Sequence, residues 1–181
     1  IRELCQDLLE YAKYYTNIIF KRNIDTDLKK LYEDIIDLRM KVSYPFLLKI
    51  HHDCAEGLIT SDELKKILKL CISYVLRRAI CEIPTNSMNK TFATLKNYIR
   101  PDDYLNSVKA FFVMQDTYKE FPDNDKFEGA FEVRDIYNMS VRNYILSRLE
   151  NFENKAPIII ENYTIEHIMP QNKNLSSEWQ A

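Results

Sequence analysis

The sequence predicts an all-α fold, a multi-helix bundle-like array with a short β segment near the C-terminus. Three observations predict it. Apolar residues recur at helical spacing through most of the chain, only 2 glycines and 6 prolines interrupt 181 residues, and 46% hydrophobic against 29% charged residues is the balance of a packed chain. The same scarcity of glycine excludes function classes. A phosphate-cradling loop or a dinucleotide-binding turn needs several glycines at fixed offsets, and Gly57 and Gly129 stand far apart. Many-stranded sandwiches and barrels need more turn residues than this.

The elements follow in order. Leu4, Leu8, Leu9, Ala12, Tyr15 and Ile19 form one amphipathic helix over roughly the first twenty residues. Leu28, Leu31, Ile35, Leu38 and Val42 give a second stripe, which Tyr44-Pro45 ends or bends. Phe46 to Ala55 reads as a third helix with Gly57 as its C-terminal stop. Thr60 and Glu63 make a capping box for a fourth, whose stripe runs from Leu64 through Cys71 and Val75 to Ile83 and stops at Pro84. Met88, Phe92, Leu95 and Ile99 mark a fifth helix. Pro101-Asp102 suits the start of a sixth, carried by Tyr104, Leu105, Val108, Phe111, Phe112 and Tyr118 until Pro122. A short helix surrounds Phe127 and Phe131, and Val141, Tyr144, Ile145, Leu149 and Phe152 give the last. After Lys155-Ala156-Pro157 the texture changes to β-branched Ile158–Ile160 and an alternating Tyr163 to Ile168. The boundary is therefore drawn near Pro157: a helical domain over 1–156, and a second domain begun by 157–181.

Basic and acidic residues nearly balance, 25 against 27. Their distribution is less even. From Lys65 to Arg100 eight basic residues face Glu82 alone, a local charge of +7 that leaves −9 for the rest. Lys65, Lys66, Lys69, Arg77, Arg78 and Lys90 are thus the candidate DNA-binding residues, because a basic stripe neutralises phosphates. A solvated helix face is the plain alternative. Arg77 and Arg78 lie about 100° apart on a helix, so at least one of them pairs internally.

The four cysteines, Cys5, Cys54, Cys71 and Cys81, form no CxxC pair and read as reduced thiols of a cytoplasmic protein. No signal peptide and no apolar run of about 20 residues is present, so no membrane partner is expected. The chain opens inside an amphipathic pattern and stops just after Trp179, as a piece of a longer protein would. His51 and Cys54 sit at i, i+3 but lack a second ligand pair at zinc spacing, so packing is expected of them. Asp123-Asn124-Asp125 fails as a calcium loop, since Arg134 occupies the bidentate-Glu position; Asp123 or Asn124 reads instead as a helix cap. The Phe111-Phe112, Phe127-Phe131 and Tyr144-Phe152 aromatics read as core.

The most specific signal is Tyr163-Thr164-Ile165-Glu166-His167-Ile168-Met169-Pro170-Gln171. A strand ending in a carboxylate and a histidine suits a metal-dependent phosphodiesterase. The carboxylate of Glu166 holds a hard cation through oxygen, and the imidazole of His167 accepts the proton of the attacking water.

Ile165 to Gln171 resembles the first motif of the HNH (His-Me finger) endonucleases, similar to the Asp-His-Ile-Val-Pro-Gln of RNA-guided nucleases. With Trp179 downstream it resembles domain of unknown function 1524, the C-terminal part of GmrSD-type restriction endonucleases. Arg77-Arg78-Ala79-Ile80-Cys81, Pro84-Thr85-Asn86, Met88 to Phe92, Tyr144-Ile145-Leu146 and Arg148 to Asn151 resemble the helical middle of the same proteins. The resemblance implies that His167 is the general base and Glu166 a metal ligand, where the wider superfamily usually has Asp. It implies a divalent metal, most simply Mg²⁺, in the complete parent protein and none in this fragment. The implied partners are DNA and a preceding domain of the parent chain, domain of unknown function 262, in defence against foreign DNA. The superfamily also needs a later Asn and a further His or Asn, so the fragment alone is expected to be inactive. A non-catalytic helical coupling module is the rival reading, in which Ile158–Ile160 pair with a second copy as an exposed strand.

Overall fold

The computed structural model describes residues 2–21 and 25–154, together with Ala156, Ile158 and Asn174. Among these residues there are eight α-helices and no strand, so the all-α fold class holds. The β segment expected near the C-terminus is not shown: Ile158 lies in irregular backbone, and most of the segment falls outside the described residues.

The helices are α1 (Arg2–Phe20), α2 (Thr26–Asp37), α3 (Tyr44–Ala55), α4 (Ser61–Ile80), α5 (Met88–Leu95), α6 (Tyr104–Val113), α7 (Asn124–Val133) and α8 (Arg142–Glu150). Short 3₁₀ turns at Lys41–Ser43, Thr85–Ser87 and Pro101–Asp103 lead directly into α3, α5 and α6. The chain forms two compact units, Ile1–Val141 and Arg142–Ala181, the division falling within the part that residue texture assigns to the helical domain.

In the first unit α4 is the central helix, in contact with α2, α3, α6 and α7. Its capping box forms as the sequence predicts. Thr60 Oγ1 accepts from Glu63 N–H at 3.2 Å, and the Glu63 carboxylate accepts from Thr60 N–H at 2.9 Å. Leu64, Ile67, Leu68, Cys71, Ile72, Val75 and Ile80 are buried along the expected stripe. Tyr74, which lies off that stripe, is fully buried as well. Its ring meets Phe112 at 4.8 Å, Phe121 at 5.5 Å and Phe92 at 6.1 Å, making it the hub of an aromatic core.

Among the helices that end earlier than their apolar stripes, α2 and α4 do so for one reason. After α2, Arg39 takes a left-handed φ of 55°, with Arg39 N–H to Ile36 C=O at 2.9 Å and Met40 N–H to Ile35 C=O at 3.0 Å. After α4, Glu82 (φ 56°) and Ile83 make the equivalent bonds to Ala79 and Arg78. Gly57 (φ 75°) closes α3 in the same way, with Leu58 N–H on Asp53 C=O at 2.9 Å. These are Schellman closures, and a non-glycine residue in that conformation costs roughly 1 kcal/mol. The sequence predicts only the one marked by glycine. Pro45, expected to end the second stripe, instead occupies the first turn of α3, where its missing N–H is harmless. The stripe expected to run on to Tyr118 stops at Val113, and Tyr118 is exposed.

In the second unit Tyr144 and Ile145 are buried, whereas Leu149 and Phe152 are exposed rather than core. The Asn151 side chain copies a backbone pairing: it accepts from Ile158 N–H at 2.6 Å and donates to Ile158 C=O at 3.0 Å.

Candidate nucleic-acid interface

α4 carries most of the predicted basic residues, and the structure sorts them into different environments. Lys65 reaches across to the start of α2, with its ammonium 3.3 Å from Asp25 and 4.0 Å from Asp27. Asp25 is also the N-cap of α2, accepting from the Leu28 and Asp27 N–H groups at 2.9 Å. The Leu28 N–H bond first, then Lys65 and last the Asp27 N–H bond hold the Asp25 carboxyl below its ordinary value. Lys65 is therefore a link between helices. Lys66 and Lys69 on α4 and Lys90 on α5 are exposed, as phosphate contacts require.

The two arginines face inward. Arg78 is 0% exposed, and its guanidinium donates to Pro84 C=O at 2.7 Å, Glu120 C=O at 3.4 Å and Ser87 Oγ at 3.4 Å. The cation also lies 5.1 Å from the Tyr74 ring. Such a side chain has no face for a phosphate. Arg77 donates to Pro122 C=O at 3.1 Å and Asn124 Oδ1 at 2.6 Å, and lies 4.9 Å from the Phe127 ring. Tyr74 adds a bond to Lys119 C=O at 2.8 Å, and Ser87 Oγ donates to Tyr118 C=O at 3.2 Å. Together these groups tie α4 to residues 118–124. The expectation that one arginine pairs internally holds for both. A salt link between Arg134 and Glu82 extends the attachment past α7. Asp123 caps α7 as expected, accepting from Lys126 N–H at 2.9 Å.

His51 packs, as its isolated pairing with Cys54 predicts: the Tyr32 hydroxyl is 3.0 Å from its Nε2. Burial pushes its pKa down to about 4. The next residue behaves differently. His52, Glu56 and Glu10 bring one nitrogen and two carboxylates within 4.8 Å of one another. Sequence reasoning missed this group. The i, i+4 spacing of His52 and Glu56 was legible, but Glu10 comes from another helix.

Glu166 and His167 lie outside the described residues. What bears on them is the similarity of the segment that contains them. The described residues are helical, and the C-terminal third of the chain matches a restriction-endonuclease family model. Residues 121–181 match the family model of the GmrSD restriction endonucleases, C-terminal domain, which supports the chain as a fragment of a GmrSD-type restriction endonuclease. No curated protein and no solved structure matches the chain. The match begins at Phe121, within the segment that Arg77, Arg78 and Tyr74 hold.

Proposed function

We propose that this chain is part of a metal-dependent HNH restriction endonuclease that hydrolyses DNA phosphodiesters in defence against foreign DNA. The observation that carries this reading is the family match over residues 121–181, which contain Glu166 and His167. In this mechanism His167 takes the proton of the attacking water, and the Glu166 carboxylate is a ligand of the cation. A divalent ion such as Mg²⁺, held by Glu166, would supply charge stabilisation for the phosphate and the leaving oxygen. Residues 1–156 are the helical support and 157–181 the beginning of the nuclease domain, acting in the cytoplasm after a preceding domain of the parent chain.

Within this reading Lys66, Lys69 and Lys90 contact the DNA backbone, because their exposure leaves them available. Lys65, Arg77 and Arg78 position them by fixing α4 against its neighbours. The 181-residue chain binds DNA without cutting it. The test is anisotropy of labelled duplex DNA against salt concentration. The Lys66→Glu, Lys69→Glu, Lys90→Glu chain is expected to bind at least about tenfold more weakly, with a shallower salt slope. Unchanged affinity would remove these lysines from the interface. Loss of plasmid nicking by the parent enzyme on His167→Ala tests the catalytic assignment.

A second reading is favoured by the inward arginines. Here the helical body is a non-catalytic coupling module, since Arg77 and Arg78 hold the segment where the nuclease match begins. Salt-insensitive or absent DNA binding by the intact chain would support it.

A further inference from the structure

A second ion site is written into the first unit, apart from Glu166 and His167. α1 and α3 pack together, and each presents an i, i+4 pair at the seam: Glu10 with Tyr14, and His52 with Glu56. His52 Nδ1 lies 3.2 Å from Glu10 Oε1. Two ligands of one tetrahedral zinc stand about 3.3 Å apart, given metal–ligand bonds of about 2.0–2.1 Å, so this pair already has the required separation. Glu56 is exposed, and its carboxylate lies within the same 4.8 Å group as the third donor.

The surroundings orient the donors. The Tyr14 hydroxyl donates to Glu10 Oε1 at 2.5 Å, as an outer-shell group does for a ligating carboxylate. The Tyr11 ring lies 5.5 Å from the His52 ring, tilted by 34°, and limits its rotation. One imidazole with two carboxylates selects against Mg²⁺ and Ca²⁺, which take oxygen ligands, and favours a borderline ion. Three protein donors leave a coordination position for water.

We propose that Glu10, His52 and Glu56 form a Zn²⁺ site that ties α1 to α3. This goes beyond the nuclease reading and does not depend on it. The ion bridges two helices, so bound metal raises the stability of α1 in the folded chain.

The experiment is Zn²⁺ titration of the 181-residue chain carrying His167→Ala, by calorimetry and thermal melting. One equivalent of Zn²⁺ is expected to bind and to raise Tm by roughly 5 °C at saturation. His52→Ala and Glu56→Gln are each expected to weaken binding at least about tenfold, and Tyr14→Phe by roughly tenfold. His52 and Glu56 side chains reach solvent, and circular dichroism without metal checks that each variant remains folded. The proposal is overturned if the His167→Ala chain binds no Zn²⁺, or if folded His52→Ala and Glu56→Gln bind as tightly as it does. The nuclease reading is untouched by either outcome, since His167 is absent throughout.

Discussion

α1 and α4 have nearly the same length, 19 and 20 residues, and both carry a regular apolar stripe, yet they are used in opposite ways. α4 buries nine of its residues. In α1, among the described side chains, Ile18 alone is buried, while Leu4, Leu8 and Leu9 are about 60% exposed. Periodicity states which residues share a face, and says nothing of what that face meets. α4 is surrounded by aromatic side chains and by carbonyls that its arginines reach. α1 meets α3 through Tyr11 and Tyr14 against His52 and His51 and through Tyr15 against Tyr44.

The largest effect that would test this contrast comes from Arg78. Arg78→Ala removes a fully buried stem and strands the carbonyls of Pro84 and Glu120, so a loss of about 4 kcal/mol is expected in urea unfolding. A loss below about 1 kcal/mol would show that the α4 attachment is not what holds residues 118–124.

The α1 side responds to pH. Burial lowers the His51 pKa to about 4, against about 6.5 in the unfolded chain. Between these values the unfolded form binds more protons. The contribution is thus complete above about pH 6.5 and is lost as pH falls to about 4, amounting to roughly 3 kcal/mol. The Tyr14 ring stacks on His51 at 6.2 Å and the Tyr32 hydroxyl bonds it, so charging His51 disturbs the meeting of α1, α2 and α3. Urea midpoints measured from pH 7 to pH 4 should fall, and His51→Gln should flatten that fall.

The smallest effect belongs to the exposed stripe. Leu8→Ala is expected to change stability by no more than about 0.5 kcal/mol, since the side chain is 62% exposed. A cost above about 2 kcal/mol in the same unfolding assay would mean that this face is covered in solution.

Most of the fold was legible because helical spacing and the Thr60–Glu63 box are local signals. Helix ends were less so. Arg39 and Glu82 take the conformation that glycine usually marks, and nothing in their chemistry announces it. Charge counting grouped Arg78 with Lys66, although one is enclosed and the other exposed; the difference lies in Glu120 and Ser87, which fold around the arginine from distant positions. The motif at Glu166-His167 was legible as a family resemblance, and it falls within the matched residues 121–181. The approach of Glu10 to the His52 and Glu56 pair was invisible because α1 meets α3 only in three dimensions.

Arg78 also has a kinetic consequence. Its guanidinium joins the loop after α4 to the stretch before α7, so neither can open without breaking the other's bonds. Amide protons in the two stretches should therefore exchange with solvent together, as one cooperative unit, while those of α1 exchange independently and sooner. The first helix can fray without loosening the place where the nuclease-like segment begins.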